Sequence, residues 1–110
     1  MASNIVLHNK DMTRLLTIAI PTFNRSVILD KQLEWLNQAI RGFENDCEIL
    51  ISDNCSTDNT PDIIKKWQNN FSNVVFISNC NTSNIGVMRN ITFCLNTAQT
   101  KYVWVIGDDD

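Results

Sequence analysis

Short apolar runs alternate along this chain with segments of helical period, and that alternation constrains its fold more than any single motif. Four runs carry the strand signature: Leu15-Leu16-Thr17-Ile18-Ala19-Ile20, Glu48-Ile49-Leu50-Ile51-Ser52, Val74-Val75-Phe76-Ile77 and Tyr102-Val103-Trp104-Val105-Ile106. They are nearly continuous and rich in β-branched residues, the pattern of strands covered on both faces. Pro21 ends the first, because proline cannot donate to a sheet ladder. Three helices are expected between them. Ser26 stands as the N-cap of the first, with Leu29, Leu33, Leu36 and Ile40 at helical spacing and Gly42 as its stop. Val27, Ile28 and Trp35 widen its apolar face for packing on a sheet. Thr60 caps the second, with Pro61 at its first position and Ile63, Ile64, Trp67 and Phe71 on its buried side. The third follows Gly86 and places Val87, Ile91, Cys94, Leu95 and Ala98 on one face. Such spacing predicts right-handed crossovers and a mainly parallel α/β sheet.

A chain of 110 residues, 44% hydrophobic and 19% charged, is one globular domain or part of one. The net charge of -3, with Lys and Arg dispersed, leaves no nucleic-acid footprint. The first residues lack the basic and apolar regions of a signal peptide, and no apolar run approaches the ~20 residues of a membrane span, so the reading is cytoplasmic. Cys47, Cys55, Cys80 and Cys94 form no CxxC pair and have no His at ligand spacing, which argues against zinc and a redox dithiol. Residues 1–13 are polar and without period and are expected as a loosely held lead-in to a domain spanning residues 14–110.

In a parallel sheet the C-terminal strand ends open on one side, where ligands bind. Three segments converge there: residues 21–25, Asp53 with the turn formers 54–59, and Asp108-Asp109-Asp110 after the last strand. Adjacent carboxylates with reference pKa values of ~3.9 repel one another at neutral pH, and a divalent cation relieves that repulsion. Taken alone, the triplet reads first as a solvated tail, and the rest of the chain shifts the reading towards a cation site. No GxGxxG or GxxxxGK[ST] follows the first strand, and no GxSxG elbow exists, which sets aside the dinucleotide, P-loop and α/β-hydrolase readings.

These residues carry a resemblance. A strand ending Ile20-Pro21-Thr22-Phe23-Asn24-Arg25, a second ending Ser52-Asp53-Asn54-Cys55-Ser56-Thr57-Asp58, the Asn84-Ile85-Gly86 turn and a fourth strand ending in an Asp-rich triplet resemble family 2 glycosyltransferases. The resemblance implies the donor-binding, N-terminal portion of a Rossmann-like GT-A fold that ends at its DxD motif. Numbering the four expected strands in chain order, the sheet order would be 3-2-1-4, with helices on both faces. Pro21, Thr22, Asn24 and Arg25 would line the nucleoside and diphosphate site. Asp53, with Asn54, would accept a hydrogen bond from the pyrimidine ring; its other reading is a cap on the following turn. Asp108 and Asp110 match the DxD pattern, one holding the ribose and the other Mg²⁺ or Mn²⁺, and the register leaves Asp109 able to take either role.

The resemblance further implies metal-dependent, inverting transfer from a nucleotide-diphosphate sugar to a glycan, lipid-linked or protein acceptor, in polysaccharide or related glycan biosynthesis, with peripheral membrane association of the complete protein possible. The general base would lie beyond Asp110, so this chain alone is expected to be inactive, with an uncovered edge on its fourth strand. The alternative is a non-catalytic module that binds nucleotide or metal. A phosphoacceptor receiver domain ranks last, because Pro21-Thr22 stands where it needs an aspartate pair.

Overall fold

A computed structural model describes residues 14–107 in full and residues 3–7 as backbone. Its elements are β1 (Ser3–Leu7), β2 (Leu16–Thr22), α1 (Ser26–Ala39), β3 (Cys47–Asp53), α2 (Thr60–Asn70), β4 (Val75–Cys80), α3 (Val87–Thr97) and β5 (Tyr102–Ile106), with a 3-10 turn at Glu44–Asp46. The sheet order is β1-β5-β2-β3-β4. β2 runs parallel to both β3 and β5, and β3 runs parallel to β4. Leaving β1 aside, this is the anticipated 3-2-1-4 order.

The sequence reading misses β1. Residues 3–7, expected within a loose lead-in, pair antiparallel with β5, Ile5 opposite Trp104. β5 therefore has a neighbour on each side, and the uncovered edge expected there does not exist. The physical reason is the cost of an unpaired ladder: Ser3-Asn4-Ile5-Val6-Leu7 supplies a short β-prone segment that satisfies it. Among the described residues, no helix is long and apolar enough to cross a membrane.

Strand side chains alternate between two cores. Ile18, Ile20, Ile49, Ile51 and Ile106 face α1 and α2 and pack with Leu29, Leu33, Leu36, Ile64 and Trp67. Ala19, Leu50, Val103 and Val105 face α3 and meet Cys94 and Ala98. Each fully buried Ile or Leu contributes roughly 1.5–3 kcal/mol. On the first face, the Trp67 indole donates to Asp30 Oδ1 at 2.7 Å, tying α2 to α1.

The buried stripe of α1 is narrower than expected: Leu29, Gln32, Leu33 and Leu36 are buried, whereas Val27 and Trp35 are 66% and 55% exposed. Only one flank of the helix meets the sheet. Trp35 instead stands edge-on to Trp104, ring centroids 6.4 Å apart. Val87 is also exposed, because Asn90, one turn later, is already level with Ser52 near the end of β3, so the first turn of α3 overhangs the sheet.

Candidate functional site

Parallel register brings Thr22, Asp53 and Cys80 to one level at the C-terminal edge, Thr22 opposite Asp53 and Asp53 opposite Cys80. The loops that leave these strands are interlocked by side chains. Asn24, at φ +50°, adopts the left-handed conformation that Asn tolerates. Its Oδ1 accepts from the amides of Thr57 at 2.7 Å and Asp58 at 3.2 Å, and its own amide donates to Ser56 Oγ at 2.8 Å. The β2–α1 and β3–α2 loops thus form one unit.

The N-cap positions of α1 and α2 are Arg25 and Asn59 rather than Ser26 and Thr60, and neither makes a side-chain cap bond. Asp58 serves both helices. Its Oδ1 accepts from the Thr60 amide at 2.9 Å and the Thr60 hydroxyl at 2.5 Å, and its Oδ2 from the Ser26 amide at 3.3 Å. Burial works to raise the Asp58 pKa, but the bonds from Thr60 and Ser26 outweigh it and hold the carboxyl below its ordinary value.

Asp53 is only 1% exposed. Its Oδ1 accepts from the Ser56 amide at 3.1 Å and the Ser56 hydroxyl at 2.5 Å, while the Cys80 thiol lies 3.9 Å from Oδ2. The turn-capping reading of Asp53 is thus realised through one oxygen. The Asn54 side chain is committed to the scaffold: Nδ2 donates to Asn84 Oδ1 at 2.9 Å, and Oδ1 accepts from Asn81 Nδ2 and the Ile85 amide. Beside Asp53, between α2 and β4, lies a cleft of about 280 Å³ that Pro61, Ile64, Lys65, Asn79 and Cys80 also line.

Sequence reasoning missed an asparagine network that fixes this edge. Asn90 is 2% exposed; its Oδ1 accepts from Ser52 Oγ at 2.6 Å and from Asn81 Nδ2 at 3.1 Å, and its Nδ2 donates to the Ser52 carbonyl at 2.9 Å. Asn79 Nδ2 donates to Ser52 Oγ and to Asn81 Oδ1. The density of Asn between positions 79 and 90 is the signal that was available.

Of the expected site residues, Pro21, Thr22, Asn24, Arg25, Asp53 and Asn54 gather at this one edge, with Arg25 and Phe23 exposed on the loop surface. Asp108, Asp109 and Asp110 lie outside the described residues. The chain enters them from Gly107, whose carbonyl accepts from Gln32 Nε2 at 3.0 Å, so the end of β5 is pinned to α1. Among the described residues, no group of three His, Cys, Asp or Glu side chains is placed to hold a metal. The three successive carboxylates of the terminal triplet are oxygen donors, which suit a hard cation such as Mg²⁺ or Mn²⁺.

The architecture is that of GT-A glycosyltransferases. A mannosyltransferase from Pyrobaculum calidifontis, solved in complex with GDP-Man and Mn²⁺, superposes with a TM-score of 0.76 at 19% identity over 99% of this chain and 31% of its own. TarS of S. aureus, solved in complex with UDP-GlcNAc, superposes with a TM-score of 0.71 at 22% identity over 86% of this chain and 26% of its own. At these identities the likeness shows the fold.

The sequence itself matches the family described as Glycosyl transferase family 2 over residues 17–110, and the chain belongs to that family. The abequosyltransferase RfbV of Salmonella typhimurium is 40% identical over 96 residues, 87% of this chain and 28% of that protein. A Campylobacter jejuni β-1,3-glucosyltransferase acting on GalNAc(5)-diNAcBac-PP-undecaprenol is 31% identical over 96 residues, 86% of this chain and 29% of its own. The chain thus spans under a third of the length of these relatives.

Proposed function

We propose that this chain is the donor-binding portion of a glycosyltransferase that moves a sugar from a nucleoside diphosphate to a hydroxyl in bacterial-type surface glycan assembly. The observation that carries the reading is the interlocked edge: residues 21–25, Asp53 with its turn, and the exit of β5 into the aspartate triplet all meet where parallel α/β sheets bind ligands. Relatives that assemble lipid-linked and teichoic acid glycans support the acceptor class.

In this reading the backbone of residues 21 and 22 borders the nucleoside, Arg25 faces the diphosphate, and Asp53 Oδ2 accepts from the base. Asn24 and Asn54 act by holding the loops in place rather than by touching the donor. Asp108 and Asp110, with Asp109 able to replace either, hold the metal and the ribose. When bound, the divalent ion stabilises the negative charge that develops on the diphosphate leaving group. The donor module takes in residues 14–110 together with β1, which pairs with β5. Inverting transfer with a carboxylate base, a cytoplasmic site of action and peripheral membrane association belong to the same proposal and concern a protein of the relatives' length.

Calorimetric titration of nucleoside diphosphates with and without Mn²⁺ tests it. Metal-dependent binding that an Asp108→Ala, Asp110→Ala double variant abolishes is the expected outcome. Binding by folded wild-type protein that ignores both metal and variant would favour the metal-free, non-catalytic module instead.

A further inference from the structure

We propose that Gln32 is a positioning residue for metal binding: by holding the Gly107 carbonyl it fixes, before any ion arrives, the backbone from which the aspartate triplet departs. The inference rests on the metal and donor reading above and deepens it by naming a residue of α1, away from the strand-end motifs, on which the metal affinity depends.

Gln32 is out of keeping with its helix. The buried stripe of α1 is otherwise Leu29, Leu33 and Leu36, and a leucine at position 32 would continue it. At 5% exposure a side-chain amide is costly unless it is hydrogen-bonded. Its Nε2 donates to the Gly107 carbonyl at 3.0 Å, across 75 positions of sequence.

Gly107 is where such a bond has the most effect. The ladder between β2 and β5 ends at Ala19 opposite Val105, and that between β1 and β5 ends at Ser3 opposite Ile106, so Gly107 lies beyond both. β2 runs on beside β3 as far as Thr22 opposite Asp53. The Gln32 amide thus stands in for a ladder partner that Gly107 no longer has. Glycine also loses more conformational freedom on being fixed than any other residue. Were Gly107 loose, an ion held by the residues that follow would have to order it on binding, which weakens affinity by about fivefold or more.

The same helix anchors the nucleoside side of the edge. α1 begins directly after residues 21–25, and its Ser26 amide donates to Asp58 of the β3–α2 loop at 3.3 Å. Gln32 therefore ties the exit of β5 to the element that holds the other two segments.

A brace that merely keeps β5 against α1 is the competing explanation. Ile106 already belongs to the same core as Leu29 and Leu33, so β5 is packed on α1 without the amide, and the two explanations separate in which ligand is affected. Mn²⁺ binding is read from the free-ion signal in electron paramagnetic resonance, and UDP and GDP binding from calorimetry in EDTA. Wild type is compared with Gln32→Met, which keeps the length and removes the donor, and with Gln32→Asn, whose amide is one methylene too short. Folding is followed by circular dichroism. The expected result is Mn²⁺ affinity at least about fivefold weaker in both variants, with metal-free nucleotide binding within about twofold of wild type. Wild-type Mn²⁺ affinity in folded Gln32→Met, or equal weakening of Mn²⁺ and metal-free nucleotide, overturns the role of Gln32 and leaves the donor site standing. Backbone relaxation of metal-free wild type adds a test that needs no variant: the Gly107 order parameter should be near the rigid value of about 0.85, and one below about 0.6 overturns the inference alone. Failure of folded wild type to bind Mn²⁺, with or without nucleotide, removes the metal reading together with this inference.

Discussion

Removing the Asp58 carboxylate should loosen two helices at once. In Asp58→Ala, α2 loses the acceptor for the Thr60 amide and hydroxyl, and α1 loses the longer bond to the Ser26 amide. Loss of one N-cap typically costs ~1 kcal/mol. Counting the 3.3 Å bond to Ser26 at half weight gives a total of about 1.5 kcal/mol. For a domain of this size that corresponds to a fall in Tm of roughly 5–10 °C. Urea unfolding followed by fluorescence of Trp35, Trp67 and Trp104 reads the change as a lower midpoint at unchanged slope. Asp58→Asn, an equally good cap, should lose under about 0.5 kcal/mol.

The pH dependence adds a sign to this prediction. The folded-state pKa of Asp58 is depressed, so its charge contributes stability above the unfolded-state value of ~3.9, and that contribution is lost as pH falls through the folded pKa. Any advantage of wild type over Asp58→Asn should therefore be full near neutrality and vanish in acid. An Asp58→Ala protein with the wild-type midpoint at pH 7 would show that the helix ends are held by something else, and the interlocked-loop account would be wrong.

Further predictions concern the edge and the cysteines. Asn90→Leu should destabilise the fold by about 2–3 kcal/mol in the same urea assay, because it leaves the Ser52 hydroxyl and carbonyl and Asn81 without their buried partner. Asn54→Ala should leave the core intact but raise proteolytic cleavage between residues 81 and 86, since the Asn84 side chain and the Ile85 amide lose their anchor. Burial pushes the Cys94 thiol up to about 12, and Cys47 is buried as well, so a thiol reagent at pH 8 should modify Cys55 and Cys80 in the native protein and the other two only in denaturant.

What the sequence made legible was the part governed by periodicity. The isoleucines of Ile18, Ile20, Ile49 and Ile51 announce two adjacent buried strands, and their alternation with Ala19 and Leu50 is what puts helices on both faces. β1 was not legible, because five residues in a polar context carry too little pattern, and only the need to pair β5 reveals them. Val27, Ile28 and Trp35 misled for a related reason: helical spacing says that residues share a face, not how much of that face the sheet reaches.

At the candidate site, residue type indicated which segments meet but not which atoms remain available. Asp53 and Asn54 lie at the C-terminal edge of the sheet, yet only the folded loops show that one oxygen of Asp53 is filled and that the Asn54 side chain is bonded to Asn84, Asn81 and Ile85. Asp58 was expected only as a turn former; its bonds to Thr60 are local, and its service to α1 as well depends on a contact with Ser26, more than thirty residues away in sequence. The asparagines at positions 79, 81, 84 and 90 lack a periodic signal altogether, since a hydrogen-bond network is specified by geometry and not by spacing.

The central claim is that the C-terminal edge of the sheet binds a metal-linked nucleotide, and paramagnetic broadening in amide NMR spectra tests it most directly. Adding Mn²⁺ together with a pyrimidine nucleoside diphosphate should broaden the resonances of Thr22, Asn24, Arg25, Asp53 and Gly107 while sparing Leu15, Asp46 and Lys101 at the opposite edge. Broadening centred on Leu15, Asp46 and Lys101, or spectra that Mn²⁺ and nucleotide leave unchanged in the folded protein, would contradict the account.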